Sequence, residues 1–175
     1  MKVPADIWQA HECVMFHMTD LPYGRGGSPL QNLIVRGKAE TKLTAFRCIK
    51  EIDAGPVYLK ENLSLYGTAD EIFLRATALS ETMIKKIVSE NIQPVAQSGE
   101  ITTFTRRIPA DSNVAEITTI TAVYDHIRML DGDGYPPAFL ETEHFMLEFS
   151  RASLKDDCVL ADIRIMKKGT QKNGE

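Results

Sequence analysis

The residues of this sequence with the means to do chemistry gather in its first third: His11, Cys13 and His17, the glycine-rich run Gly24-Arg25-Gly26-Gly27-Ser28, and Asp53. His11, Cys13 and His17 all occupy odd positions, and alternate residues of a strand share a face, which invites a metal site. Distance argues against it. Six residues of strand separate the two histidines by roughly 20 Å, whereas two ligands of one ion lie about 3 to 4 Å apart. No metal is expected. His17 instead closes the apolar run Cys13-Val14-Met15-Phe16 just before the glycine loop. In open α/β sheets the carboxyl end of a strand faces the crevice where ligands bind, and an imidazole placed there can move protons. The competing reading is an ordinary hydrogen-bonded histidine.

The glycine loop leads into Ser28-Pro29, an N-cap and a first-turn proline. The free amides and dipole of the helix start could hold an anionic group. Alternatively the glycines mark only a tight turn, and Arg25 ties the loop to a carboxylate. Asp53 stands in Ile52-Asp53-Ala54-Gly55-Pro56. There it is either a turn aspartate bonded to its own backbone or, if it meets His17 in space, the carboxylate that orients the imidazole and stabilises its charged form.

The elements that would position these groups follow from periodicity and punctuation. Pro4 to Glu12 reads as a short helix, and Cys13 to His17 as a strand apolar on both faces, which belongs inside a sheet. Leu30, Leu33 and Ile34 follow the proline in a helix ended near Gly37. Leu43–Ile49 and Pro56–Leu65 read as strands, antiparallel because the turn around Asp53-Ala54-Gly55 is short. Thr68-Ala69-Asp70-Glu71 has the pattern of a capping box, and Ile72, Ala76, Leu79, Met83 and Ile87 form one stripe of a long amphipathic helix. The pattern breaks from Gln93 to Glu100. Beyond it, Ile120, Val123, Tyr124 and Ile127 predict a second helix before two or three strands in Ala138–Ile165, a small α+β appendage. The tail from Lys167 is polar and expected to fray. These readings divide the chain at residues 1–98 and 99–175.

At 175 residues and 43% hydrophobic side chains, the chain can bury one sizeable core with a small appended subdomain. It has 20 basic and 24 acidic residues, and residues 101–175 hold nine Lys or Arg against twelve Asp or Glu. Such a balance disfavours a polyanionic partner such as nucleic acid. Cys13, Cys48 and Cys158 lie far apart with no CxxC pair, so a reducing cytoplasm suits them. No apolar run is long enough to span a membrane and the start lacks the centre of a signal peptide, so a cytoplasmic location is expected.

The stretch from His17 to Gln31 resembles the formyltransferase superfamily of methionyl-tRNA, glycinamide ribonucleotide and sugar N-formyltransferases. That family writes a histidine, a short spacer, Leu-Pro, an Arg-Gly-Gly turn, then small-Pro-aliphatic-Gln. This sequence has His17, Leu21-Pro22, Arg25-Gly26-Gly27 and Ser28-Pro29-Leu30-Gln31. Asp53-Ala54-Gly55-Pro56-Val57 is similar to the second signature, Asp-x-Gly followed by Asp or Pro, and stands 36 positions after His17. The likeness continues through the long helix, Phe104 to Arg107, and Ile127 to Leu130 with Gly134-Tyr135-Pro136.

The resemblance implies an α/β fold: the C-terminal part of a Rossmann-like formyltransferase sheet followed by the α+β appendage. It implies transfer of a formyl group from 10-formyltetrahydrofolate to a primary amine. His17 would polarise the carbonyl or handle the amine proton, Asp53 would set its orientation and charge, and Ile49, Glu51 and Ile52 before Asp53 would border the folate ring. Thr19, Arg25, Gly26, Gly27 and Ser28 would form the substrate loop. With an acidic second half, the amine of a nucleotide-linked sugar is the first expectation for the acceptor. Methionyl-tRNA is the alternative, followed by hydrolysis of the formyl-folate or a non-catalytic subunit that keeps a folate or assembly site. Two departures stand out. The family's asparagine two residues before the histidine is Met15 here, which donates no hydrogen bond, so Thr19, His17 or a water would have to stabilise the oxyanion. The family's opening strands and helices also precede the point where this sequence starts, which implies an upstream segment or a partner that completes the sheet.

Overall fold

The computed structural model describes residues 3–168. They form two compact units, one running to Tyr66 and from Glu71 to Arg107, the other Gly67–Asp70 and from Ile108 onward.

In the first unit, helix α1 (Ala5–Ala10) follows Pro4 and leads to strand β1 (Val14–His17). Strand β2 (Arg25–Gly26) and helix α2 (Pro29–Ile34) come next, then strands β3 (Glu40–Arg47) and β4 (Val57–Ser64). Helix α3 (Ala69–Ser89) follows, and strand β5 (Thr103–Phe104) completes the series. The sheet order is β1-β3-β4, antiparallel throughout, with His17 opposite Thr44 and Met15 opposite Phe46. β1 was expected inside a sheet; among the described residues it is paired only by β3, and its side chains are half-buried except for His17. An apolar run on both faces reports burial, not the number of neighbouring strands.

The short connection between β3 and β4 is antiparallel as expected, because a tight turn cannot cross over. Leu43, Ala45, Phe46 and Leu63 of these strands are buried, as are Leu30, Leu33 and Ile34 of α2. On α3, Ile72, Ala76 and Met83 are buried and Leu79 and Ile87 half-buried, as the 3.6-residue stripe predicts. Ser28 does not cap α2 with its side chain. It sits at φ +49° and its hydroxyl accepts the Arg107 N–H at 3.1 Å.

The second unit holds helix α4 (Ile120–Arg128), capped by the Thr119 hydroxyl, and strands β6 (Ala138–Glu141), β7 (Phe145–Leu154) and β8 (Val159–Lys167) in an antiparallel meander. Lys167, placed in the frayed tail by its polarity, is the last residue of β8 opposite Phe145. The rest of the tail, from residue 169, lies outside the described residues. No described helix is long and apolar enough to cross a membrane.

Candidate active site

His17 is the last residue of β1 and is 9% exposed. Its Nε2–H donates to the Gly24 carbonyl at 2.8 Å, which fixes the ring and turns Nδ1 toward Asp53 Oδ2, 3.9 Å away. Asp53 has φ +52° in the turn between β3 and β4. Its Oδ2 accepts the Gly26 N–H at 2.8 Å, while Oδ1 takes no hydrogen bond from the other described residues. Two residues far apart in sequence thus meet, and the glycine loop is the bracket that joins them.

The loop's amides are spent inside the chain. The N–H groups of Gly24 and Arg25 go to the Thr102 carbonyl, that of Gly27 to Phe104, and that of Gly26 to Asp53. One of them, the Gly26 N–H, holds the chain's own carboxylate. The glycines serve close approach: a Cβ on Gly26 would lie 2.5 Å from the Phe104 carbonyl oxygen, and one on Gly27 as close to the Arg106 side chain. Arg25 bonds an amide instead of a carboxylate, through Nε and Nη2 to Gln97 Oε1 at 3.1 and 2.6 Å. Gln97 in turn donates from Nε2 to the carbonyls of Asp53 and Gly55 at 2.9 and 2.8 Å. Gln97, in the irregular stretch after α3, was not singled out by sequence reasoning, and no local pattern marks it.

Of the remaining predicted site residues, Thr19 is fully buried. Its hydroxyl leans on the Gly24 carbonyl at 3.5 Å and its own carbonyl accepts the Thr44 hydroxyl at 2.6 Å. Thr19 therefore shapes the loop from beneath and is closed to a reactant's oxygen. Ser28 is tied to Arg107 as described above.

Ile49, Glu51, Ile52 and Asp53 do come together, lining a cleft of about 340 Å³ with Trp8, Met15 and Phe46 among its other walls. Cys48 also lines it. Burial, then the neighbouring Cys13 and the Asp53 carboxylate, pushes the Cys48 thiol up, which disfavours a thiolate nucleophile there. A second cleft of about 350 Å³ is lined by Asp20, Tyr23, Lys38, Glu40, Lys42 and others, and contains neither His17 nor Asp53. Among the described residues no cluster of three or more His, Cys, Asp or Glu is placed to hold a metal ion.

The methionyl-tRNA formyltransferase from Clostridium thermocellum, a solved structure, is 46% identical to this chain and superposes with a TM-score of 0.93, over 95% of this chain and 74% of that one. The chain belongs to the formyltransferase superfamily. A model of the methionyl-tRNA formyltransferase C-terminal domain matches residues 109–166 of this formyltransferase-superfamily chain. The methionyl-tRNA formyltransferase of Mesoplasma florum is 29% identical over 126 residues, 68% of this chain, and the chain spans about 40% of that protein's length. A sugar N-formyltransferase from Shewanella shares the fold at 18% identity with a TM-score of 0.62, over 82% of this chain and 61% of that one. The first unit is accordingly the C-terminal part of a Rossmann-like formyltransferase sheet, and the second is its smaller, β-rich appendage.

Proposed function

We propose that this chain carries the reacting centre of a formyl transfer from 10-formyltetrahydrofolate to a primary amine, with His17 and Asp53 at the centre and methionyl-tRNA as the acceptor. The observation that carries the reading is the convergence of His17 Nδ1 and Asp53 Oδ2 to 3.9 Å at the mouth of the glycine loop, with Asp53 also lining the apolar cleft.

The cleft fits a folate. Its volume is in the usual range for small-molecule sites, and Trp8, Met15, Phe46, Ile49 and Ile52 offer apolar walls to a planar ring. The backbone N–H groups of Lys50, Glu51 and Ile52 meet no acceptor among the other described residues, so they remain as donors for the polar edge of such a ring. When bound, the donor supplies an electrophilic formyl carbon. His17 keeps its Nε2–H on Gly24, so Nδ1, the ring nitrogen that faces Asp53, is the one left for a reactant. The unengaged Oδ1 of Asp53 is the acceptor available to an ammonium proton. Low exposure of both side chains, 10% and 15%, keeps bulk water from screening them.

The acceptor differs from the amino sugar favoured by the acidic second half. Net charge summed over a segment does not report where its cations lie. The relationship to a methionyl-tRNA formyltransferase at far higher identity than to the sugar enzymes supports methionyl-tRNA. A second reading, folate binding without turnover, is favoured by Met15 in the cleft, where a hydrogen-bond donor would serve an oxyanion.

The test is competition. The chain is given 10-formyltetrahydrofolate with methionyl-tRNA and a nucleotide-linked amino sugar together, and the products are resolved by mass spectrometry. Formylmethionyl-tRNA as the main product supports the proposal, and a formylated sugar returns the acceptor to the small-molecule class. Binding of the folate with no formylated amine establishes the second reading.

A further inference from the structure

β8 is hydrogen-bonded on one side, to β7, and among the described residues nothing pairs with its other edge. Nine residues of open edge form a template for another strand. Two of the usual protections are missing, since β8 has no proline and the irregularity in its pairing lies between Ser150 and Ser153 of β7, and the charges in its middle, Asp162 and Arg164, are of opposite sign. Its middle also exposes Ile163 and Ile165, at 53% and 65%. The Lys168 N–H bonds the His144 carbonyl at 3.0 Å, in register with the β7–β8 ladder. Even-numbered residues of β8 therefore turn their backbone groups to β7, and those of Ala161, Ile163 and Ile165 point outward.

We propose that this edge is the interface between two copies of the chain, β8 pairing antiparallel with its symmetry mate about Ile163. The two three-stranded sheets then become one sheet of six. Charge selects the register. A two-fold axis that joins outward backbone groups while keeping most of the strand paired passes through Asp162, Ile163 or Arg164. The first sets Asp162 against its own mate and the last sets Arg164 against its own mate, both repulsive. The axis at Ile163 places Asp162 opposite the partner's Arg164, twice by symmetry. It also sets Ile163 against its mate, Ala161 against the partner's Ile165, and Leu160 against the partner's Met166. The pairs at 162 and 164 fall at non-hydrogen-bonded positions, where side chains approach most closely. Both side chains are available, 53% and 62% exposed, and their in-chain contacts are surface pairs: Arg151 with Asp162, and Arg164 with Glu148 at 3.7 Å.

Those in-chain pairs make the test specific. The full chain is run in sedimentation velocity across a concentration series as wild type, Asp162→Arg, Arg164→Asp and the double exchange. The expected result is a wild-type dimer, each single variant weakening it about tenfold or more, and the double exchange restoring it. In the double variant both in-chain contacts have become like-charged, with Arg151 and with Glu148, so only a pairing between chains predicts rescue. Circular dichroism verifies that each variant is folded. A wild-type chain that stays monomeric at all concentrations, single variants as dimeric as wild type, or a double variant no better than the singles each overturns the proposal.

Discussion

Asp53 faces the one ring nitrogen of His17 that the glycine loop leaves unused: Nε2 is tied to Gly24 at 2.8 Å and Nδ1 lies 3.9 Å from the Asp53 carboxylate. At 3.9 Å the pair is beyond hydrogen-bond range, and the backbone sets the ring's orientation. His17 does not line the apolar cleft. His17→Gln is therefore expected to lower formyl-transfer turnover on the order of 10²-fold or more while leaving the affinity for a stable formyl-folate analogue unchanged. Unimpaired turnover in this variant removes His17 from the chemistry.

Met15 stands opposite Phe46 in the sheet and lines the cleft, and a thioether donates no hydrogen bond. Thr19 does not replace that donor, because its hydroxyl is buried against the loop. Met15→Asn is expected to raise turnover by about 10²-fold, the effect of one well-placed donor on a developing oxyanion. A rate that stays at the wild-type value shows that oxyanion stabilisation comes from elsewhere.

The turn that carries Asp53 leans on two residues with no chemistry of their own. A Cβ on Gly55 would stand 1.7 Å from the Arg47 carbonyl oxygen, so Gly55→Ala must displace the turn, at an expected cost of about 3 kcal/mol. Gln97→Ala strips the donor from the Asp53 and Gly55 carbonyls and is expected to cost about 1 to 3 kcal/mol. Urea unfolding followed by Trp8 fluorescence measures both. Wild-type midpoints in either variant contradict the role given to that residue.

Tyr58 is 7% exposed and donates its hydroxyl to the Glu12 carboxylate. Burial, then this bond and the nearby charge, pushes its pKa up to about 12. The unfolded chain releases the same proton near pH 10, so the stabilisation is whole below about pH 10 and is lost as pH rises toward 12. Tyr58→Phe should flatten this part of the stability curve. Urea midpoints of both proteins across that window make the comparison, and curves of equal slope count against it.

How far these features were legible depends on the range of the interactions behind them. The stripe Ile72-Ala76-Leu79-Met83-Ile87 and the antiparallel β3–β4 pair are local, set by periodicity and by the length of a turn, and both stand as read. The Leu-Pro and Arg-Gly-Gly signature pointed to His17 and the Asp-x-Gly signature to Asp53, and the fold brings the two side chains to 3.9 Å. What stayed hidden is long-range. Nothing near Gln97 announces that it joins Arg25 to a turn more than forty positions upstream, and nothing near Ser28 announces that its hydroxyl serves Arg107. The helix start behind the glycine loop suggested a bound anion because of its free amides and dipole. Only the folded chain shows the amides of the loop itself bonded to Thr102, Phe104 and Asp53.

The rate of formyl transfer from 10-formyltetrahydrofolate to methionyl-tRNA, compared between the wild-type chain and Asp53→Asn, bears most directly on the whole account. An asparagine can still accept the Gly26 N–H through its carbonyl, so the loop is kept and only the charge is lost. The expected result is retained binding of a formyl-folate analogue, read from Trp8 fluorescence at the cleft wall, with turnover lowered by about 10²- to 10⁴-fold. Turnover in Asp53→Asn equal to wild type would contradict the assignment of His17 and Asp53 as the reacting centre.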